Sequence, residues 1–543
     1  MRKSYKIILM VISILLIGSI IIGTSYSMWV KTAIQKEQNI VNSSCFDIEF
    51  TESSDINLTN AIPISDEAGL KKKPYTFTLK NTCNMNSKVT IALDVLSTST
   101  MSSSAIKTSL TKGNKSGTPT LLTSLDKKAD VDISGAKEAY ILGTDIIGAN
   151  KSKSYSLYLW MDESVTVAEA SKSFSSKVVI VNTATEEEPP IEILGKEITD
   201  TTQIATDDPD NNIRYIGKDP SNYVYFNCSD YSNQSDSSCE KWRIIGIFKN
   251  VNKSSNSTED LVKIIRKDFI EYIAWDSTWN NNWPTASLQN TFNGDYYNGT
   301  YTTGALKNNA VRNAIESVVW NLGGTSYEYY SSNGLPKHWY SYERGTTVYG
   351  ENSTTWTGKI ALMYPSDYGY ATSGSSEVNR ATCLAESLDN WSRGAISECY
   401  NNDYLYSSGY SQWTLTTNTT DANYAFSISS EGPIYTASAR DESYSARPVL
   451  YLKSRVVVVN GDGTSNNPYQ IKNPIMFKAN LHGDEYTITA EEGMTWEEFI
   501  NSSYNDGNFE IIDGTILYTD GSVSSSSTIN NGETYSFSER YGG

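Results

Sequence analysis

The sequence predicts a multidomain, mainly β protein: an antiparallel β-sandwich, an α+β domain and a small β-rich module, all behind a hydrophobic N-terminal segment. Three observations carry this reading. At 543 residues the chain is too long for one core, since single domains run about 100–200 residues. Its apolar runs are short and many alternate at period two, as in Tyr75-Thr76-Phe77-Thr78-Leu79, the mark of half-buried strands. Two denser runs, Trp242-Arg243-Ile244-Ile245-Gly246-Ile247-Phe248 and Ser445-Ala446-Arg447-Pro448-Val449-Leu450-Tyr451-Leu452, read as fully buried strands that bracket a long insert of aromatic, Asn/Ser/Gly-rich segments.

Arg2, Lys3 and Lys6 precede an apolar run from Ile7 to Gly23, long for a signal-peptide core and just short of a comfortable membrane span. Residues 1–27 are therefore expected to be a signal peptide or a membrane anchor. Ser25-Tyr26-Ser27 offers small residues where a signal peptidase inspects the chain, so cleavage after Ser27 is the first expectation and retention the second. Either outcome exports the remainder and makes the membrane a partner through this segment.

Residues 28–185 alternate strands with Ser/Thr/Gly turns, including Phe46-Asp47-Ile48-Glu49-Phe50, Val89 to Val95, Tyr155 to Trp160 and Lys177 to Val181, the pattern of an antiparallel β-sandwich. Glu186-Glu187-Glu188-Pro189-Pro190 then favours an extended chain, through acidic repulsion and proline, and 186–200 is expected as a linker. The α+β domain is expected over 201–473, with strands at 213–217, 223–226 and 261–266. Helices are expected over 284–292, with Gly294 as stop, and over 305–322, where Val311, Ile315, Val318 and Leu322 recur at helical spacing. After Lys472-Asn473-Pro474 the module over 474–543 opens with two strands and a helix in which Thr495 and Glu498 form a capping box.

Lys plus Arg total 44 against 62 Asp plus Glu, a net charge of -18. Outside the first six residues and Lys71-Lys72-Lys73 no basic cluster exists, which excludes nucleic acid as a partner, because phosphate neutralisation needs clustered cations. The six cysteines fall into the local pairs Cys45 with Cys83, Cys228 with Cys239 and Cys383 with Cys399, a disulfide pattern in an exported chain. A zinc site would want CxxC pairs or histidine partners, and the chain has only His338 and His482.

No nucleophile or metallopeptidase motif is present, and no catalytic residue is assigned. Calcium is the one cofactor left open. Asp208, Asp210 and Asn212 have alternate oxygen-ligand spacing, but position six is Ile213 instead of Gly and no Glu closes the loop. Aromatic density stands out: nine of the twelve tryptophans lie between Trp242 and Trp413. Trp275, Trp279, Trp283, Tyr296, Tyr297 and Trp339 are the candidate ligand-binding residues. Asn280-Asn281-Asn282 and Pro284 argue against a helix under the first three, so these rings are expected on a loop, where flat amphipathic side chains suit recognition of a glycan or a protein. The competing reading is that the rings replace a regular core.

Two resemblances follow. Gly23-Thr24-Ser25-Tyr26-Ser27-Met28-Trp29 running on to Phe46-Asp47-Ile48-Glu49-Phe50 resembles the exported TasA/camelysin-like β-sandwich proteins of Gram-positive bacteria. Camelysins are described as metallopeptidases, but no HExxH or other histidine pair matches, so the resemblance implies a structural, stalk-like role. Trp242-Arg243-Ile244-Ile245-Gly246 with Ala446-Arg447-Pro448-Val449-Leu450-Tyr451-Leu452 looks like the opening and closing motifs of the formylglycine-generating (sulfatase-modifying) group and of related bacterial and phage surface domains. That resemblance implies a C-type-lectin-like fold over Ile213 to Ile471. The enzymes use an active-site cysteine pair, whereas Cys383 and Cys399 read as a loop staple. The expected function is a non-enzymatic, cell-surface or secreted recognition protein of a Gram-positive-type bacterium or its phage, binding an extracellular glycan or surface protein, with a β-grasp-like C-terminal module. Its rivals are an enzyme of the formylglycine-generating type and a structural matrix or fibre subunit.

Overall fold

Sheet is the predominant regular structure among the described residues, and the chain divides into two compact units, Met1–Ile191 and Glu192–Gly543. The computed structural model describes residues 31–34, 46–50, 56–58 and 61–536, apart from 114–116, 166–168, 170–171, 186–188, 190, 303, 327, 329–332, 482–483, 492, 502–504, 506–508, 513–514 and 519–520. The hydrophobic segment 1–27 lies outside the described residues, and among those described no helix is long and apolar enough to cross a membrane.

In the first unit two sheets enclose one core. One runs in the order Lys31–Ile34, Phe174–Thr185, Asn86–Leu96, Ala136–Ile147; the other runs Phe46–Phe50, Tyr75–Asn81, Ser152–Asp162, Ile106–Lys112, Thr120–Leu121. Tyr75, Phe77 and Leu79 point inward while Thr76 and Thr78 do not, as the period of a pleated strand requires. They meet Val89, Ile91, Leu93, Val178 and Ile180 from the facing sheet.

The linker expected over 186–200 needs correction on its C-terminal side. Thr183, Ala184 and Thr185 still pair with Lys88, Ser87 and Asn86, so the strand runs to the edge of the acidic run. Residues 192–200 belong to the second unit: Glu192–Ile193 pairs with Lys196–Glu197 across Leu194 and Gly195, both at positive φ (52° and 73°), the backbone a two-residue hairpin turn needs. Buried Ile193, Leu194 and Ile198 hold this hairpin down, an apolar signal that the Glu/Pro composition obscures.

The second unit is built on a seven-stranded sheet ordered Ile204–Ala205, Ile213–Tyr215, Glu240–Asn252, Thr258–Arg266, Val449–Tyr451, Ile360–Ala361, with Tyr223–Phe226 also on Glu240–Asn252. The two dense apolar runs therefore flank one strand, Thr258–Arg266, on its two sides. Val449, Leu450, Ile264 and Ile265 are buried, so this pairing is the centre of the core. The intervening insert contributes short helices, a hairpin and a three-stranded sheet of Gln412–Thr417, Tyr424–Ile428 and Ile434–Ser438.

Both predicted helices are shorter than expected or differently ended. Over 305–322 only Asn309–Asn313 is helical, capped by the Asn308 side chain; Val318–Asn321 is a strand paired with Thr355–Gly358. Val318, Trp320 and Leu322 are two apart, while Val318 and Leu322 also fit the helical series; pairing with Thr355–Gly358 resolves this for strand, which the β-branched Val318 and Val319 suit. Over 284–292 the helix is Ser287–Thr291, and it continues into a π-helical turn, Phe292–Tyr296, so Gly294 does not stop it.

Pro474–Leu481 pairs antiparallel with Asp484–Glu491 and parallel with Thr534–Ser536. Between them lies the helix Trp496–Ile500, where Thr495 and Glu498 close the expected capping box, and Trp496 and Phe499 pack on Phe477. Cys228 is bonded to Cys239 and Cys383 to Cys399, with Cα separations of 3.9 and 5.5 Å. Cys83 is also disulfide-bonded. Its expected partner, Cys45, lies outside the described residues. Such bonds persist in oxidising compartments.

Candidate binding site

Four of the six aromatic candidates are interior. Trp275, Trp283, Tyr296 and Trp339 are each at most 1% exposed. Trp275 donates its indole N–H to the Thr414 carbonyl at 3.0 Å and meets Trp283 edge-on at 5.2 Å; Trp283 in turn meets Trp356, and Trp339 lies edge-on to Phe426 at 4.8 Å. The expectation that these rings are displayed to solvent is corrected for a physical reason: an insert with few regular elements must fill its interior with large side chains, and a tryptophan brings the most apolar area per residue. Tyr297 is partly buried, its hydroxyl bonded to Lys359, whose ammonium lies 4.3 Å from the ring centroid.

Trp279 is different. It is 50% exposed and sits at φ 62°, a conformation costly for a bulky L-residue, on the order of 1–3 kcal/mol. The surrounding amides and one carboxylate hold it there. Asp276 Oδ1 accepts from the Thr278 and Asn280 N–H groups at 2.8 and 3.0 Å, and its Oδ2 accepts from the Ser287 N–H. The Asn281 side-chain amide donates to the carbonyls of Asn418, Asp421 and Tyr424, and its oxygen accepts from Asn352. The Arg440 guanidinium stands 5.0 Å from the Trp279 ring, in cation–π range, and makes no ion pair among the described residues. Tyr424, whose carbonyl Asn281 holds, is exposed at the head of its strand, and Tyr349 is exposed three residues before Asn352.

The site is thus one pinned tryptophan with an arginine over its ring. Arg440 was not legible as a site residue, because Ala439-Arg440-Asp441-Glu442 reads as an ordinary solvated charge run. The density of Asn and Asp around Trp279 is the local signal for a pinned loop, since these side chains bond neighbouring backbone groups.

The calcium candidates are committed elsewhere. Asp208 is buried: its Oδ1 accepts from the Asn212 N–H at 2.8 Å, and its Oδ2 accepts from Asn212 Nδ2 at 2.8 Å and Arg214 Nε at 2.6 Å. Asp210 Oδ2 accepts from the Tyr340 hydroxyl. The charge facing Asp208 is therefore a guanidinium. Arg214 also reaches Asp367 Oδ1 at 3.1 Å, and Lys263 reaches Asp367 Oδ2 at 2.5 Å, with Lys263 and Asp367 both fully buried. Burial pulls the Lys263 ammonium down to about 8, against the opposing pull of Asp367, so it stays charged at neutral pH. The same two cations hold Asp367 below the usual carboxylate range in spite of its burial.

Glu343 lies beside this network. Burial pushes its carboxyl from 4.5 up to about 7, although Arg344 and Ser366 oppose the change. A raised acid binds a proton in the folded state that the unfolded chain has already released. The stability it contributes is full below about pH 4.5 and is lost as pH rises to about 7. Denaturant midpoints followed by tryptophan fluorescence are expected to fall across that window, and Glu343→Gln is expected to flatten the fall. An unchanged pH profile in the variant would assign the slope to another group.

No protein-family model matches the chain, and no curated protein matches it. Among solved structures it is similar, over 30% of its length, to 33% of a chain in the structure of infectious bursal disease virus Gt strain, with 9% identity and a TM-score of 0.14. The match spans about a third of that viral chain, and at this TM-score the likeness carries no argument.

Proposed function

We propose that this is an exported recognition protein of a Gram-positive-type cell or its phage, anchored by or released from its N-terminal segment, whose domain over 201–473 binds an extracellular glycan at the Trp279 face. A single observation carries the reading: a half-exposed tryptophan is held at φ 62° by Asp276 and Asn281 and flanked by an arginine with no ion pair among the described residues. Core packing does not account for a strained ring that points outward. A flat ring stacks on a sugar face, and neighbouring guanidinium and amide groups serve its hydroxyls.

The pairing of both dense strands with Thr258–Arg266 supports a C-type-lectin-like reading of 201–473. Parallel first and last strands with a helix between them support a β-grasp-like reading of 474–543. The formylglycine-generating alternative needs a cysteine that reaches a peptide, and Cys383 and Cys399 are both buried in one disulfide. The first unit serves as a stalk in this scheme; self-assembly of the chain into fibres without any ligand would favour the matrix reading instead.

The test is a glycan and surface-protein array probed with the full chain. Trp279→Ala is expected to weaken glycan binding by roughly tenfold, about 1.4 kcal/mol, and to leave the melting temperature unchanged within a few degrees. A stable variant that binds as the parent does would remove Trp279 from the site, and signal confined to the protein spots would replace the glycan with a protein partner.

A further inference from the structure

A second site, which shares no lining residue with Trp279, lies beside the strands Glu240–Asn252 and Val318–Asn321. A cavity of about 210 Å³ is walled by Arg344, Lys249, Asn250, Asn252, Asn321 and Asp210, over a floor that includes Trp320, Tyr364 and Tyr451. Drug-sized ligands use pockets of about 300–1,000 Å³, so this one is scaled to a single ring.

The donors in it are arranged, and they are unspent. Arg344 Nη1 donates to the Tyr340 carbonyl at 3.4 Å and to Glu343 Oε2 at 3.2 Å, while the guanidinium carbon stands over the Tyr340 ring, 3.3 Å from its centroid. Its Nε and Nη2 have no partner among the described residues. Those two N–H groups are parallel and form the fork that matches a planar carboxylate. The stacking and the Nη1 bonds hold the fork in one orientation.

At the mouth a β-bulge in Glu240–Asn252 shifts register between Phe248 and Val251, with Asn250 at φ 52°. Bulges re-aim side chains next to sites. The bulged segment presents Lys249 and Asn250, both exposed, and neither side chain has a hydrogen bond or ion pair among the described residues. The amides of Asn252 and Asn321 are likewise unengaged there. Asp210 keeps Oδ1 available, since the Tyr340 hydroxyl uses Oδ2. Lys249 and Arg344 line the cavity with one carboxylate, Asp210, and Glu343 behind the lining pairs with Arg344 Nη1.

We infer that this cavity binds a monosaccharide acid, a uronic-acid-type sugar whose carboxylate is received by the Arg344 fork and Lys249 and whose hydroxyls meet Asn250, Asn252, Asn321 and Asp210. The planar fork selects the carboxylate. The ring of amides selects a hydroxyl-rich body over an apolar acid. This site is independent of the Trp279 reading.

The experiment is calorimetric titration of the full chain with glucuronate, glucose and N-acetyl-alanyl-alanine. Glucuronate is expected to bind at least tenfold more tightly than glucose. Arg344→Lys, which keeps the charge and removes the fork, is expected to weaken it about tenfold, Lys249→Gln severalfold, and Trp279→Ala not at all. Should Arg344→Lys melt early, Lys249→Gln decides, since its side chain is exposed and unbonded. Equal affinity for glucuronate and glucose overturns the inference, as does a preference for the peptide acid over glucuronate. Loss of glucuronate binding in Trp279→Ala with retention in both cavity variants would move the acid to Arg440 and overturn it too.

Discussion

Asp367→Asn is expected to destabilise the second unit by about 3–5 kcal/mol, the cost of breaking a buried ion network from one side. Asp367 alone receives Lys263 Nζ at 2.5 Å, Arg214 Nη1 at 3.1 Å and the Tyr364 N–H at 2.9 Å. An amide in its place removes the negative charge and turns an N–H donor toward a cation or a backbone N–H. Lys263 would then lie among the rings of Phe248, Tyr364, Trp320 and Tyr451 with no counter-ion, a costly state for a buried ammonium. Rupture from one side is costly even where the intact network is no more stabilising than an apolar core, because it leaves a buried charge uncompensated. Lys263→Met is expected to cost less, because Arg214 and the Tyr364 N–H still serve the carboxylate. Denaturant unfolding followed by tryptophan fluorescence reports on this unit, where ten of the twelve tryptophans lie. A loss below about 1 kcal/mol for Asp367→Asn would show the charges to be solvated or already neutral.

Trp283→Ala is expected to cost a further large amount, about 3–5 kcal/mol, as usual for emptying a buried tryptophan site. The ring is 1% exposed and bridges Trp275 and Trp356 through edge-on contacts at 5.2 and 6.2 Å, so its removal opens a cavity between two other large side chains. Trp279→Ala, four residues away, should change stability by no more than about 0.5 kcal/mol. Trp279→Gly should be more stable than Trp279→Ala by up to about 1 kcal/mol, because only glycine adopts φ 62° without strain. Melting curves of the three variants separate core from display. Equal melting temperatures for Trp283→Ala and Trp279→Ala would refute the assignment of Trp283 to the core.

The elements that were legible are those whose cause is local. Thr495 with Glu498 announces its helix because both capping bonds span three residues. Tyr75 to Leu79 announces its strand because pleating repeats every two residues. The cysteine pairs 228 with 239 and 383 with 399 are close in sequence and close in space. Where two periods fit the same residues, as at Val318, Trp320 and Leu322, local pattern does not decide, and pairing with Thr355–Gly358 does. The candidate site was legible to one residue in six: Trp279 is displayed, while Trp275, Trp283, Tyr296 and Trp339 are interior. Type and spacing are the same for a tryptophan that faces solvent and one that fills a core.

By itself, then, the sequence determined the β-rich, multidomain character of the chain, its longer strands, the Thr495 helix cap and two of its disulfides, because these follow from propensity, periodicity and short loops. Only the tertiary structure decided what the polar residues are for. Arg214 and Asp367 are 153 residues apart and Lys263 and Asp367 are 104 apart, and no local rule relates them. Folding removes them from water, where an unpaired charge is prohibitively costly, and so forces Asp208 and Asp367 onto cations. The same folding left Arg440 without an ion pair among the described residues and spent only Nη1 of Arg344 on Glu343, so both guanidiniums keep donors that the local sequence does not announce.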